Sequence, residues 1–482
     1  MSTAHSVTRT SLRTIMEGGV CLILVLLFTQ TWFIDGLPAP CRVTGGSMAV
    51  SLLGVHRDVV CSDCGFAFAC DAAAPPVSPR AVCPNCGYAE NSVEPLLDLQ
   101  GDRLLIDRSA FHFRRPRRWE IVAFRHSQKP GKILVKRVVG LPGESVRIQN
   151  GDVYIDGQIQ RKNLDRQRSM AVPVFDAKYS PNIEPTPPPR WQGENENSLW
   201  NSAAAQFIHS NTSESHAQLP HPNPLPEAVE TIDWLVYHHW RRMPGRRDEV
   251  MECPITDIMA YNQNLPRREE DVHAMIDLML CFRLARTVGQ GKFFIRAIAG
   301  KDVYQVEINP NAGLYRATRN RVEILLNDNQ LPPKIKDLAV VVSLIDRQFL
   351  LALNDRTVIC LPMDDPLQPM ESTSQPFALG TEGLGIVLDE VKIYRDIYYT
   401  HPIGFNGDLV PETTAPLGCD EYFVLGDNSP VAEDSRTWHG RYPVLEKSLI
   451  GRPFMIFFPA KSVRLGDWQF QVPDPRRIGY IL

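Results

Sequence analysis

One segment constrains this chain more than any other: Lys136–Glu144, reading KRVVGLPGE, which closes an apolar run beginning at Lys132 and Ile133. The run reads as a strand, and Gly140, Pro142 and Gly143 stop it. Side chains alternate along a strand, so Lys136 shares a face with Leu134 and Val138. Arg137 lies on the other face, with Val135 and Val139. A lysine on an apolar face loses hydration, its pKa falls, and the neutral amine becomes a base. A lone lysine of this kind is more often an edge residue whose head reaches water. Two distant segments turn that balance: Gly45-Gly46-Ser47-Met48, and Gly426–Arg436, reading GDNSPVAEDSR.

The rest of the chain is written mainly in strands. GDRLLID, WEIVAF (Trp119–Phe124) and KILVKRVVG are short runs separated by turn residues. Ser145–Gln158 predicts a hairpin turning at Asn150-Gly151, the favoured two-residue dipeptide. After Pro173 the texture changes to Pro, Asn and Ser, with PTPPPRW at Pro185–Trp191, which reads as a connection. Further period-2 runs follow, among them DLMLCFRLA, GKFFIRAIAG, DVYQVEI and GLGIVLDEVKIYRDIYY. Several such runs at regular spacing predict a β-sandwich. No fixed-period repeat is visible. The net charge of −4 gives no reason to expect nucleic acid as a partner.

Gly18–Ile34 holds no charged residue. Its seventeen residues span about 25 Å as a helix, enough for a bilayer core with Ile15 and Met16 added. Arg9 and Arg13 precede it and Asp35 follows, which places the N-terminus in the cytoplasm and the remainder outside. Prolines crowd Gly36–Cys41, so the segment reads as an uncleaved anchor rather than a cleaved leader.

Eleven cysteines cannot all pair within one chain. Four of them form Cys61-x2-Cys64 and Cys83-x2-Cys86, each pair followed by a glycine, Gly65 or Gly87. That is the spacing of a four-thiolate zinc site, with each pair on a tight turn. Two disulfides are the alternative; bridges within CxxC are strained, which favours zinc.

A serine is a weak nucleophile until a base takes its proton. Ser47 follows two glycines that let the backbone turn and present N–H groups to a developing oxyanion. No histidine sits in a comparable setting, which leaves Lys136 as the base. With these residues in place the chain resembles the bacterial type I signal peptidases, membrane-anchored Ser–Lys proteases of the S26 group. Ser47-Met48 resembles the nucleophile box and Gly101–Asp107 the strand after it. Lys136–Glu144 resembles the lysine box. Gly426-Asp427-Asn428-Ser429 with Asp434-Ser435-Arg436 resembles the last box.

The resemblance implies a Ser47–Lys136 dyad that needs no cofactor and removes signal peptides from exported preproteins. Gly45, Gly46, Met48, Gly426, Asp427, Asn428, Asp434, Ser435 and Arg436 would support it, with Asp434 and Arg436 pairing to hold the loop around the lysine. It also implies a β-rich catalytic body on the outer, periplasmic face of the bacterial inner membrane, held by one transmembrane helix. Cys61, Cys64, Cys83 and Cys86 would hold a structural zinc in a ribbon-like insert.

The chain would then divide into a cytoplasmic tail (1–15), an anchor (16–35), catalytic body (36–57), ribbon-like insert (58–95), catalytic body (96–172), proline-rich connection (173–230), a β-sandwich-like insert (231–404) and the last of the body (405–482). The large insert is faintly similar to a concanavalin-like jelly-roll, and its ligands are not legible. The chain departs from the family pattern in three places. Val50 stands where proline is usual, and Gly45 where some members place a hydroxyl. Ala432 stands where a serine commonly orients the lysine, so Ser429 or Ser435 would have to substitute. That last departure sustains a second expectation, a catalytically weakened membrane protein that recruits partners through its inserts.

Overall fold

The computed structural model describes residues 4–30, 38–76, 78–126, 131–203, 206–210, 232–243, 249–258, 261–262, 272–324, 326, 329–332, 337–363, 370–400, 415–438, 443–466 and 468–481. The architecture is mainly β. An eight-stranded antiparallel sheet takes its strands from both ends of the chain, in the order Pro38–Arg42, Arg103–Asp107, Leu449–Phe458, Ile121–Arg125, Ile133–Gly140, Glu421–Leu425, Val444–Leu445, with Gly479–Tyr480 against Leu449–Phe458.

The strand Ile133–Gly140 is central in this sheet. Lys136 lies opposite Val122 on one neighbour, and Arg137 lies between Ile121 and Leu425. Val138 packs with Val122, Phe124, Tyr422 and Val424, with Leu134 at the edge of the cluster. Val139 packs on the other face with Trp119, Val146 and Leu425. Both faces are covered, so the lysine cannot reach water as an edge residue would.

The following hairpin pairs Val146–Gln149 with Asp152–Ile155. Asn150 and Gly151 both take positive φ, 53° and 87°, as a two-residue turn matched to strand twist requires. Gly151 has a second reason to lack a side chain: a Cβ there would meet the Tyr398 ring at 2.4 Å.

Residues 172–395 build a thirteen-stranded sheet around one large apolar core. Its spine is the antiparallel pair Leu278–Ala299 and Phe377–Arg395, of 22 and 19 residues. The sequence reads the first as two strands parted by glycines. The glycines instead sit where two backbones approach: a Cβ at Gly291 would meet the Glu382 carbonyl at 2.1 Å. Register shifts near Gly289 mark bulges, which bend the pair and let one sheet wrap its core. The layers expected as a separate sandwich over 231–404 are therefore joined by hydrogen bonds. The expected connection, 173–230, adds Val172–Asp176, Trp191–Gly193, Trp200–Ala203 and Gln206–His209 to the same sheet, while 211–231 lie outside the described residues.

A helix runs over Ala4–Thr29, with the side chains from Val20 to Phe28 exposed. Residues 31–37, the end of the expected anchor, lie outside the described residues. Among the described residues no helix is long and apolar enough to cross a membrane.

Candidate active site

Ser47 stands on a one-turn 3-10 helix, Gly46–Met48. Met48 fixes that turn by packing with Val43, Leu52, Leu104, Ile121 and Ile456 under the eight-stranded sheet. Asp102 holds the return of the loop: its carboxylate accepts the Leu53 N–H at 2.8 Å and pairs with Arg477 at 2.9 Å. The crowding that calls for glycine falls on Gly54 and Gly101. A Cβ at Gly54 would meet Gly45 carbon at 2.6 Å, and one at Gly101 the Val43 carbonyl at 1.8 Å. Gly45 itself has an ordinary φ of −107° and room for a side chain, so the turn does not depend on its freedom.

The amine of Lys136 donates to Ser47 Oγ at 2.5 Å. The lysine is 2% exposed. Burial pulls its pKa from 10.5 down to about 8, with Asp434 pulling upward and Arg436 downward by smaller amounts. At that value a substantial fraction of the amine is neutral near pH 8.

The segment Gly426–Arg436 closes over this pair. Asn428 donates its backbone N–H to Ser47 O at 3.0 Å and its side-chain Nδ2 to Gly46 O at 2.9 Å. Gly426 leaves no room for more: a Cβ there would meet Ala432 Cβ and Ser47 O at 2.5 Å and the lysine amine at 3.2 Å. Asp434 and Arg436 form a buried, two-pronged ion pair at 2.7 and 2.9 Å, and Asp434 also accepts the Gly426 N–H at 2.9 Å.

Neither serine offered as a substitute orients the lysine. Ser429 Oγ accepts from Arg436 Nη1 at 2.8 Å and from Thr400 N–H at 2.9 Å. Ser435 Oγ accepts the Val424 N–H at 3.0 Å. The Ala432 methyl, on a residue 1% exposed, packs beside Gly426.

Sequence reasoning missed one partnership. Arg137 makes a two-pronged bond to Asp427 at 2.8 and 2.6 Å and donates to Trp119 O at 2.8 Å, with both charged groups 1% exposed. The lysine strand is thereby tied to the start of the last box. The signal was present in the charge next to Lys136, but only the fold shows where its partner lies.

About the four cysteines the chain makes two matching turns. Gly65 N–H bonds Cys61 O and Gly87 N–H bonds Cys83 O, both at 2.9 Å, and both glycines take positive φ, 75° and 70°. The four sulfurs lie within 4.8 Å of one another, with Cys61–Cys86 at 3.6 Å and Cys64–Cys83 at 3.7 Å, and no disulfide joins them. Buried Asp63 supports the cluster by pairing with Arg242, which donates to Cys86 O at 2.9 Å.

Residues 80–208 match the family model of signal peptidase, peptidase S26. The matched region contains Lys136. The chain is 33% identical over 123 residues to the probable signal peptidase I-2 of a Synechocystis species, covering 24% of this chain and 53% of that one. It is 38% identical over 79 residues to signal peptidase I of Leptolyngbya laminosa, covering 15% and 38%. Over these stretches the chain is similar to signal peptidases I. It spans about half, or less, of the length of these curated relatives. Among solved structures, a carbohydrate-binding module CBM66 from Bacillus subtilis covers 44% of this chain at 12% identity and a TM-score of 0.25, a likeness that carries no argument.

Proposed function

We propose that the chain is a membrane-anchored serine endopeptidase that removes signal peptides from exported preproteins. One observation carries the reading: a lysine buried in a central strand, its pKa lowered to about 8, lies 2.5 Å from a serine hydroxyl. The neutral Lys136 amine takes the Ser47 proton as Oγ attacks the scissile carbonyl. The ammonium then returns that proton to the leaving amine, and water hydrolyses the acyl-enzyme by the same route. Ser47 lies in the first turn of its helix, where backbone N–H groups have no intrahelical acceptor, so its N–H is a donor for the oxyanion. Asp434, Arg436, Asp427 and Arg137 hold the loop and strand around the amine and take no part in bond making.

The exposed apolar stretch Val20–Phe28, with Arg9 and Arg13 before it, supports a single anchor with the N-terminus in the cytoplasm and the body on the periplasmic side. The four cysteines suit a structural zinc. Thiolates 2.3 Å from zinc in a tetrahedron stand about 3.8 Å apart, close to the cluster's 3.6 and 3.7 Å.

A labelled preprotein incubated with wild type, Ser47→Ala and Lys136→Ala tests the reading. Cleavage by wild type alone is expected. Equal inertness of all three would favour the competing reading, a weakened scaffold that recruits partners through its inserts.

A further inference from the structure

The nucleophile turn is gripped from two sides. Met48 and Leu52 face the eight-stranded sheet. Ala49 and Leu53 face away from it and form a separate buried cluster with Tyr261, with Ala69 of the cysteine segment at its edge. Tyr261 comes from the large insert and is 0% exposed. Its hydroxyl donates to Val55 O at 3.3 Å, across 206 residues of sequence.

The dipeptide Tyr261-Asn262 also holds the cysteine segment. Tyr261 O accepts the Asp71 N–H at 3.0 Å, and Asn262 O accepts from Cys70 Sγ at 3.5 Å. The Asn262 amide clasps the Val82 backbone, accepting its N–H at 2.6 Å and donating to its carbonyl at 2.9 Å. Asn262 has a φ of 47°, a conformation that asparagine tolerates well. Two insert residues thus meet the nucleophile loop and both halves of the cysteine segment.

On the sheet side the loop has the Leu53–Asp102 bond and the Met48 core. On the other side the apolar cover of Ala49 and Leu53 is Tyr261, with Ala69 beside it. Removing the ring would leave a void behind a turn that must hold Ser47 Oγ within bonding distance of Lys136. Structure beside such a void relaxes part-way into it, and displacements near 1 Å are costly to catalysis.

We propose that Tyr261 is a positioning residue for Ser47. The large insert presses the nucleophile turn against the catalytic sheet, so it belongs to the working site rather than being an appended module. This rests on the protease reading above.

The test uses the full chain as wild type, Ser47→Ala, Tyr261→Phe, Tyr261→Leu and Tyr261→Ala, with two independent readouts. Hydrogen exchange measured by mass spectrometry should quicken over residues 46–55 in the Leu and Ala variants and stay unchanged over 133–140. In preprotein cleavage the same variants should lose about 10–100-fold in kcat with KM within about twofold, while Tyr261→Phe keeps most of the rate. Unchanged exchange over 46–55 in a folded variant overturns the proposal whatever the cleavage rates. Faster exchange with unchanged kcat overturns it too. A wild type no faster than Ser47→Ala removes the protease reading, while the exchange data still decide whether Tyr261 braces the turn. Should Tyr261→Ala lose protection over 133–140 as well, Tyr261→Leu, which keeps most of the apolar volume, decides the matter.

Discussion

Lys136 donates one hydrogen bond among the described residues, to Ser47 Oγ, and sits in a setting that opposes its charge. On the proposed mechanism the neutral amine is the base, so kcat/KM should rise with pH through about 8 and level off above it, falling about tenfold per unit below. A pH–rate profile checks this; a flat profile from pH 6 to about 9 would contradict it. The same shift bears on stability. The unfolded lysine titrates near 10.5 and the folded one near 8, so between those values the unfolded chain binds more protons and stability rises with pH. Below pH 8 the full cost of about 3 kcal/mol is present. Lys136→Met should therefore abolish cleavage yet raise the urea midpoint at pH 7. Ala432→Ser should leave cleavage intact or raise it, because its hydroxyl would lie near the amine that Ser429 and Ser435 do not serve. A severe loss in Ala432→Ser would contradict that account. At this scale the sequence was legible where chemistry names a residue, as at Ser47 and Lys136. It was not legible where crowding decides. Gly45 and Gly46 read together as the glycines that let the backbone turn, but Gly45 has room for a side chain and close approaches fall on Gly54 and Gly101, which depend on which distant backbones meet.

Among the elements, the pairing of Ile133–Gly140 with Glu421–Leu425 carries a buried ion pair, Arg137–Asp427. Removing one partner leaves the other charged and desolvated. Asp427→Ala should cost about 3–5 kcal/mol in equilibrium unfolding, and the loss should be larger than for an exposed pair such as Arg168–Asp355. The two cysteine turns predict about one zinc per purified chain, lost with a chelator or in Cys61→Ser, and metal analysis settles it. Elements set by local rules were legible: the Asn150-Gly151 hairpin and the strand ended by Gly140 need only their own residues. The long strands were not. Glycines near residue 290 look like a turn in one dimension, and only the partner strand shows that they permit close approach.

Among the described residues the eight-stranded sheet is interrupted in sequence by the cysteine segment and by the thirteen-stranded sheet, and Tyr261 and Asn262 join both to the Ser47 loop. Deleting residues 1–34 should move the protein from the membrane fraction to the soluble one; retention in the membrane would assign anchoring to another surface. The mainly β character was legible throughout, from alternation and turn residues. How the inserts dock was not, because Tyr261, Arg242 and Asn262 carry no local signature of their contacts. One of those long-range closures also sets a schedule. Asn428 bonds Gly46 across 382 residues. A ribosome adding about 5–20 residues per second needs roughly 20–80 s to cover that distance. Throughout that interval the nascent chain contains Ser47 but lacks the segment that closes over it. The bonds from Asn428 to Gly46 and Ser47 therefore form only after every intervening residue has been made.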